Sequence, residues 1–173
     1  MILRTRRTLI AGSIAAAVIA GFSAVSVATA APAPAPADDA VPPVAVETFE
    51  YPNAAKILKE KGIALRKGDG HILLVDCNVS RDIQVLTSVN HPGQSETGTY
   101  CFKVTGSGKT GFLTLEVPKV YNIMTGDVAV KANLTAEGKT QTVAVAKNDA
   151  IGVGTGAPVP GAATTLVELR VNN

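Results

Sequence analysis

Tryptophan is absent from the 173 residues, aromatics make up 4% of them, and histidine occurs twice. Each scarcity removes a class of function. Sugar platforms are built on exposed aromatic faces, and the aromatics beyond residue 30 are Phe49, Tyr51, Tyr100, Phe102, Phe112 and Tyr121. Tyr100 and Phe102 alternate with polar neighbours as core residues do; of the other four, Phe112, on the face of Thr114 and Glu116, and Tyr121, beyond a proline-containing strand end, are the rings expected at the surface. With only His71 and His91, acid–base and metal chemistry have few carriers. The two cysteines form no Cys-x-x-Cys pair and have no histidine close in sequence, so a thiol nucleophile or redox centre is not expected.

Positive charge is also scarce once the N-terminus is set aside. Arg4, Arg6 and Arg7 precede an Ala-rich apolar run from Leu9 to Val27, and Ala28-Thr29-Ala30 has the small-x-small form of a cleavage site. Residues 1–30 therefore read as a signal peptide cut after Ala30. The alternative is an uncleaved membrane anchor, because the apolar run is nearly long enough to span. Thr5-Arg6-Arg7-Thr8-Leu9-Ile10 also looks like a twin-arginine signal, so export by that route or by the general secretory one stays open. Removing the leader takes three of the 16 basic residues away, leaving 13 against 14 acidic ones and a net charge near −1. No Lys/Arg cluster remains to neutralise several phosphates, so nucleic acid is not an expected partner. Nothing beyond the leader reads as a membrane segment. The expected product is soluble, secreted, extracellular and monomeric, with no cofactor.

Residues 31–46 (APAPAPADDAVPPVAV) cannot donate hydrogen bonds at their prolines and stay extended, as a spacer or as a disordered tail. A single folded domain is expected over 47–173. Asn53 and Gly62 flank a helical stretch over 54–61, in which Ile57 and Leu58 are expected to face the core and Lys56, Lys59, Glu60 and Lys61 water. Ile63-Ala64-Leu65 suggests a short strand, and residues 66–70 a turn.

From His71 onward the period is two. Strands are expected over 71–77, 82–89, 99–105, 111–118, 127–134, 140–146 and 164–171, separated by Gly, Asn, Pro and Ser. Short strands at this spacing with no intervening helix predict a mainly β fold. The expected form is an antiparallel sandwich or partly open barrel of about seven to nine strands with one short N-terminal helix. The inward set is Leu73, Val75, Ile83, Val85, Tyr100, Phe102, Val104, Leu113, Leu115, Val117, Val128, Val130, Ala132, Leu134, Val143, Val145, Val167, Leu169 and Val171. Residues 151–163, without periodicity, read as a long exposed loop, functional or merely tolerated.

Two cysteines in an exported chain predict one disulfide, Cys77–Cys101. Strand parity places Cys101 with Thr99 and Lys103, opposite Tyr100 and Phe102. The bridge is therefore expected at a sheet edge or strand end, unlike the core-crossing bridge of immunoglobulin domains.

Four motifs suggest chemistry and are better explained without it. Residues 105–110 (TGSGKT) imitate the end of a phosphate loop, but Lys103 stands where its first glycine belongs and a strand follows, so a hairpin turn is expected. Gly152-Val153-Gly154-Thr155-Gly156 precedes Pro158 and Pro160, which forbid the helix a dinucleotide site needs. Asp69-x-His71 with Asp76 can be drawn as a metal cluster, and His91 with Ser88 or Ser95 as a hydrolase pair. Neither has established ligand spacing or a nucleophile elbow. Asn78-Val79-Ser80 and Asn133-Leu134-Thr135 match glycosylation acceptors by chance in a chain whose leader reads as bacterial.

The ordered set Tyr51-Pro52-Asn53-Ala54, Gly68-Asp69-Gly70-His71, Cys77…Cys101, Leu113-Thr114-Leu115-Glu116-Val117-Pro118 and Leu166-Val167-Glu168-Leu169 resembles a group of small, Ala-rich exported proteins of actinobacteria. The resemblance implies export and one compact domain. It carries over no functional residue.

The expected function is that of a secreted, non-catalytic β-domain, a binding or envelope-associated module for an extracellular protein or a cell-wall component. Competing readings are a protease inhibitor, a small extracellular hydrolase and a sugar-binding module. The expected binding surface comprises His91, Gln94, Ser95 and Glu96 in the polar loop 90–98, which lies between the cysteines, together with Phe112 and Tyr121. No catalytic or metal-binding residue is assigned.

Overall fold

The computed structural model describes residues 49–106 and 110–172. The leader, the Ala/Pro arm and Ser107-Gly108-Lys109 of the phosphate-loop imitation lie outside the described residues.

Among the described residues, ten strands and one α-helix follow in chain order: β1 (Phe49–Glu50), α1 (Ala54–Lys61), β2 (Ala64–Gly68), β3 (Ile72–Val75), β4 (Ile83–Thr87), β5 (Thr99–Val104), β6 (Gly111–Thr125), β7 (Val130–Ala136), β8 (Lys139–Val145), β9 (Ala150–Gly152) and β10 (Thr164–Val171). Every strand pair is antiparallel, and the main order is β3-β5-β4-β6-β10-β7-β8. The expected mainly β, unclosed antiparallel architecture is the one found.

The 15-residue β6 organises it. Its first half pairs with β2 and β10, its second half with β4 and β9. Pro118 and Lys119 fall between these registers, and Lys119 takes φ 51. A proline ends a strand only where its missing N–H is needed in the ladder. At this irregularity it is not needed, so the strand expected to stop at Pro118 runs on to Thr125. The register shift lets one strand serve two sets of neighbours. The core that they enclose includes Ile63, Leu65, Ile83, Val85, Phe102, Leu113, Leu115, Ile123, Leu134, Leu166 and Leu169, all almost fully buried. Each side chain of this kind contributes roughly 1.5–3 kcal/mol on burial.

Several local expectations are corrected. In α1 only Ile57 packs on the core; Leu58 is 53% exposed, because eight residues present too narrow a face to bury both. Asn53 caps from the left-handed region without a side-chain bond, and Gly62 closes the helix at φ 71. The turn expected at 66–70 begins later, since Arg66, Lys67 and Gly68 continue β2. In β3 the core-facing residues are Ile72 and Leu74 rather than Leu73 and Val75; a four-residue apolar run has no parity of its own. In β10 a bulge between Leu166 and Glu168 moves Val167 out of the core and brings Leu166 in. The 151–163 segment is partly built: β9 pairs with β6, Val153 is buried, and Gly154–Gly156 forms a 3₁₀ turn. β5 and β6 are not ladder partners, so these two strands do not form the hairpin expected across 105–110.

Cys77 and Cys101 form the expected disulfide, with a Cα–Cα distance of 5.1 Å. The bridge ties the end of edge strand β3 to β5 and stands outside the main core cluster, although both sulfurs are buried. Gln84 lies directly across from Cys101, and Arg81 bonds both Gln84 and Glu96 on that side.

Candidate binding surface

Alternation in β6, β10, β7 and β8 sends Leu113, Leu169, Ala132 and Val145 inward and their neighbours out. Register then aligns the outward residues in rows across four strands. One row is Phe112, Arg170, Lys131 and Ala144. The next is Thr114, Glu168, Asn133 and Thr142, and a third joins Thr165, Thr135 and Thr140. Neighbouring positions in a row are spaced by about 4.8 Å, the strand separation.

The rows are bonded internally. Thr142 Oγ1 donates to Asn133 Oδ1 at 2.6 Å, and Asn133 Nδ2 donates to Glu168 Oε1 at 3.0 Å. Arg170 Nε donates to the same oxygen at 2.6 Å, while its guanidinium lies 4.4 Å above the Phe112 ring. Thr135 and Thr140 share a hydroxyl bond of 3.1 Å. Thr114 Oγ1 accepts from Lys67 N–H and donates to Lys67 C=O, each at 3.0 Å, and Arg66 pairs with Glu116 at 2.6 Å on the adjoining strands. Exposed pairs of this kind stabilise by about 0–1 kcal/mol. Their consequence is orientation: a flat polar face whose donors and acceptors are already held in place. A shallow cleft of about 180 Å³ at one end of the face is lined by Asp69, Phe112 and Arg170. A larger groove, about 500 Å³, runs between α1 and β2 with Ala54, Ala55, Leu58 and Ala64 in its wall and Glu50, Arg66 and Lys67 at its rim.

The loop 90–98 is a braced structure. Gln94 is its hub: its Oε1 accepts from His91 N–H at 3.0 Å and Gly98 N–H at 2.9 Å, and its Nε2 donates to Val89 C=O at 3.1 Å. Ser95 Oγ accepts from Cys77 N–H at 3.1 Å, and Glu96 pairs with Arg81. Lys61 Nζ donates to Gly93 C=O at 2.7 Å, tying the loop to α1. The neighbouring Tyr100 hydroxyl donates to Lys61 C=O; burial pushes its ionisation above the ordinary tyrosine range, and hydrogen bonding to Gln94 pulls it partly back. His91 is half-buried, with Nδ1 accepting from Gly93 N–H at 3.3 Å and its ring against Gly62. Phe112 lies under Arg170, and Tyr121 is half-buried in β6 beside Gly156. The six surface residues named from sequence are thus dispersed. His91, Gln94, Ser95 and Glu96 share the loop, whereas Phe112 belongs to the flat face and Tyr121 to neither.

The histidines are held separately. His71 Nδ1 is 3.7 Å from Asp69 Oδ2, but the nearby Thr105 hydroxyl donates to the His71 carbonyl. Asp76 Oδ1 accepts from Asn78 N–H within its own turn. Among the described residues no three His, Cys, Asp or Glu side chains are grouped to hold a metal ion, and no helix is long and apolar enough to cross a membrane.

Fold and face together define a small, disulfide-clipped antiparallel β-domain with a preorganised polar sheet surface. The chain matches no protein-family model and no curated protein sequence. Sequence reasoning missed Asn133, Thr142, Glu168 and Arg170 as a group, although their two-residue alternation on three strands was a visible signal.

Proposed function

We propose that this protein is an exported, non-catalytic binding module of the cell exterior, and that the face of β6, β10, β7 and β8 is its contact surface. The observation that carries the reading is the bonded row Thr142–Asn133–Glu168 with Arg170 stacked on Phe112. Groups fixed before contact lose little entropy on binding, and regular rows of hydroxyl, amide, carboxylate and guanidinium suit an extended, hydroxyl- and amide-rich cell-wall polymer. Export is supported by the leader and by the resemblance to small exported proteins. The buried bridge is compatible with an oxidising compartment.

The test is retention of the purified protein on insoluble peptidoglycan, chitin and cellulose. Retention on one of them, lost in Arg170→Ala and Asn133→Ala while the melting temperature holds, is the expected result. No retention above that of an unrelated protein of similar charge rejects the reading.

A protease-inhibitor reading draws on the bracing of loop 90–98 by Gln94 and Lys61. Incubation with a panel of extracellular proteases tests it, and rapid cleavage within 90–98 without inhibition ends it.

A further inference from the structure

The two ends of the main sheet order are finished differently. On β3 the free edge is occupied: Leu74 N–H donates to Tyr51 Oη at 2.8 Å, and the disulfide pins the strand's end. On β8 it is open. The β7–β8 turn has two residues, Glu137 (φ 50) and Gly138 (φ 74), with Ala136 opposite Lys139. In such a hairpin the flanking pair is hydrogen-bonded and bonding alternates from there. Lys139, Gln141, Val143 and Val145 therefore bond β7, while Thr140, Thr142 and Ala144 turn their N–H and C=O groups outward. All three are exposed. The run 140–145 contains no charge and no proline, and its register to β7 is unbroken. These are the devices that normally protect an edge.

We propose that β8 is a pairing edge for a second copy of this chain, in which two β8 strands run antiparallel about a twofold axis at Thr142. That register joins Thr142 to the partner's Thr142 and Thr140 to the partner's Ala144. It makes about six main-chain hydrogen bonds, using every outward group of the three residues. The charge pattern selects this occupant. Glu137 and Lys147 are exposed and form no ion pair among the described residues. The Thr142-centred register carries each Glu137 toward the partner's Lys147 at both ends of the ribbon. Lys139 meets the partner's Val145, so no like charges are opposed. Pairing also extends the Thr114–Glu168–Asn133–Thr142 row through the axis into its copy. This assembly departs from the monomer expected from sequence and does not depend on which ligand the face binds.

Sedimentation equilibrium of the purified protein from about 1 µM to 1 mM reads the association directly. The wild type is expected to dimerise in that range. Thr142→Pro removes an outward N–H without touching the β7 ladder. Two bonds are lost across the axis at roughly tenfold each, which weakens the dimer about 100-fold. Glu137→Lys is expected to weaken it too, and the double variant Glu137→Lys/Lys147→Glu to restore it. This charge swap decides the matter should Thr142→Pro not fold. Under mild oxidation Thr142→Cys is expected to cross-link and Thr140→Cys, displaced from the axis, is not. A wild type that stays monomeric to 1 mM, or a dimer indifferent to both Thr142→Pro and Glu137→Lys, overturns the proposal.

Discussion

Breaking the Cys77–Cys101 bridge tests the framework most directly. The cysteines are separated by 24 positions in sequence. A closed loop of that length removes chain entropy from the unfolded state worth about 3.5 kcal/mol at 25 °C. For a domain of roughly 125 residues the unfolding entropy near the transition is about 0.26 kcal/mol/K, so the loss lowers the melting temperature by about 13 °C. The expected damage has a location as well as a size. β3 is a four-residue edge strand whose register runs from Ile72–Val104 to Val75–Cys101, so the bridge lies just beyond its last pair. Calorimetry of the double variant Cys77→Ala/Cys101→Ala gives the shift. Hydrogen exchange should show the Leu73 and Val75 amides opening well below the global free energy, while Leu169 and Leu113 in the β10–β6 ladder keep protection relative to the lowered stability. A shift under about 4 °C, or β3 amides as protected as those of β6, would refute the view that the bridge holds this edge.

Three further outcomes follow from individual contacts. Gly156→Ala puts a Cβ 2.1 Å from the Tyr121 carbonyl oxygen, a backbone atom that cannot swing away, and should cost more than about 2 kcal/mol in urea unfolding. Leu58→Lys should change stability by no more than about 0.5 kcal/mol, and Ile57→Lys should cost at least about 2 kcal/mol, since only Ile57 packs on the core; equal costs would place both on the core. Burial raises the ionisation of Tyr51 and Tyr100 above the ordinary 10.0. An unfolded chain then releases these protons first, so their stabilisation is intact below about pH 10 and is lost as pH climbs through the raised values. Melting temperature should fall through that window, less steeply in Tyr51→Phe, and an unchanged slope in that variant would count against the assignment.

The fold was legible wherever one face is apolar and the other polar. Residues 164–171 announce a strand by alternation, and β10 occupies that span. The helix was legible from Asn53 and Gly62, which bound α1 as expected. Parity fails where contrast fails: Ile72-Leu73-Leu74-Val75 offers no polar marker, so alternation alone places its inward face one residue out of step. In β10 the marker exists, but the bulge at Leu166/Glu168 resets it, and no residue type there declares the extra position. Pro118 misled for the opposite reason, being a strong signal neutralised by the irregularity that contains it.

The polar face was legible strand by strand and invisible as a surface, because neighbourhood is a property of order. β10 comes last in the chain yet inserts between β6 and β7, and this brings Glu168 to Asn133 across 35 positions. Two-residue alternation reveals that Asn133, Thr142, Glu168 and Arg170 point outward; it contains nothing about which strand stands beside which. The same ordering fixes where the sheet can continue. Tyr51 and the cystine close it at β3, and the hairpin geometry leaves alternate backbone groups open at β8. Growth by main-chain pairing is therefore possible at that edge, and a Thr142→Pro substitution that abolished pairing there while leaving β7–β8 protection intact would separate the edge's role in assembly from its role in the fold.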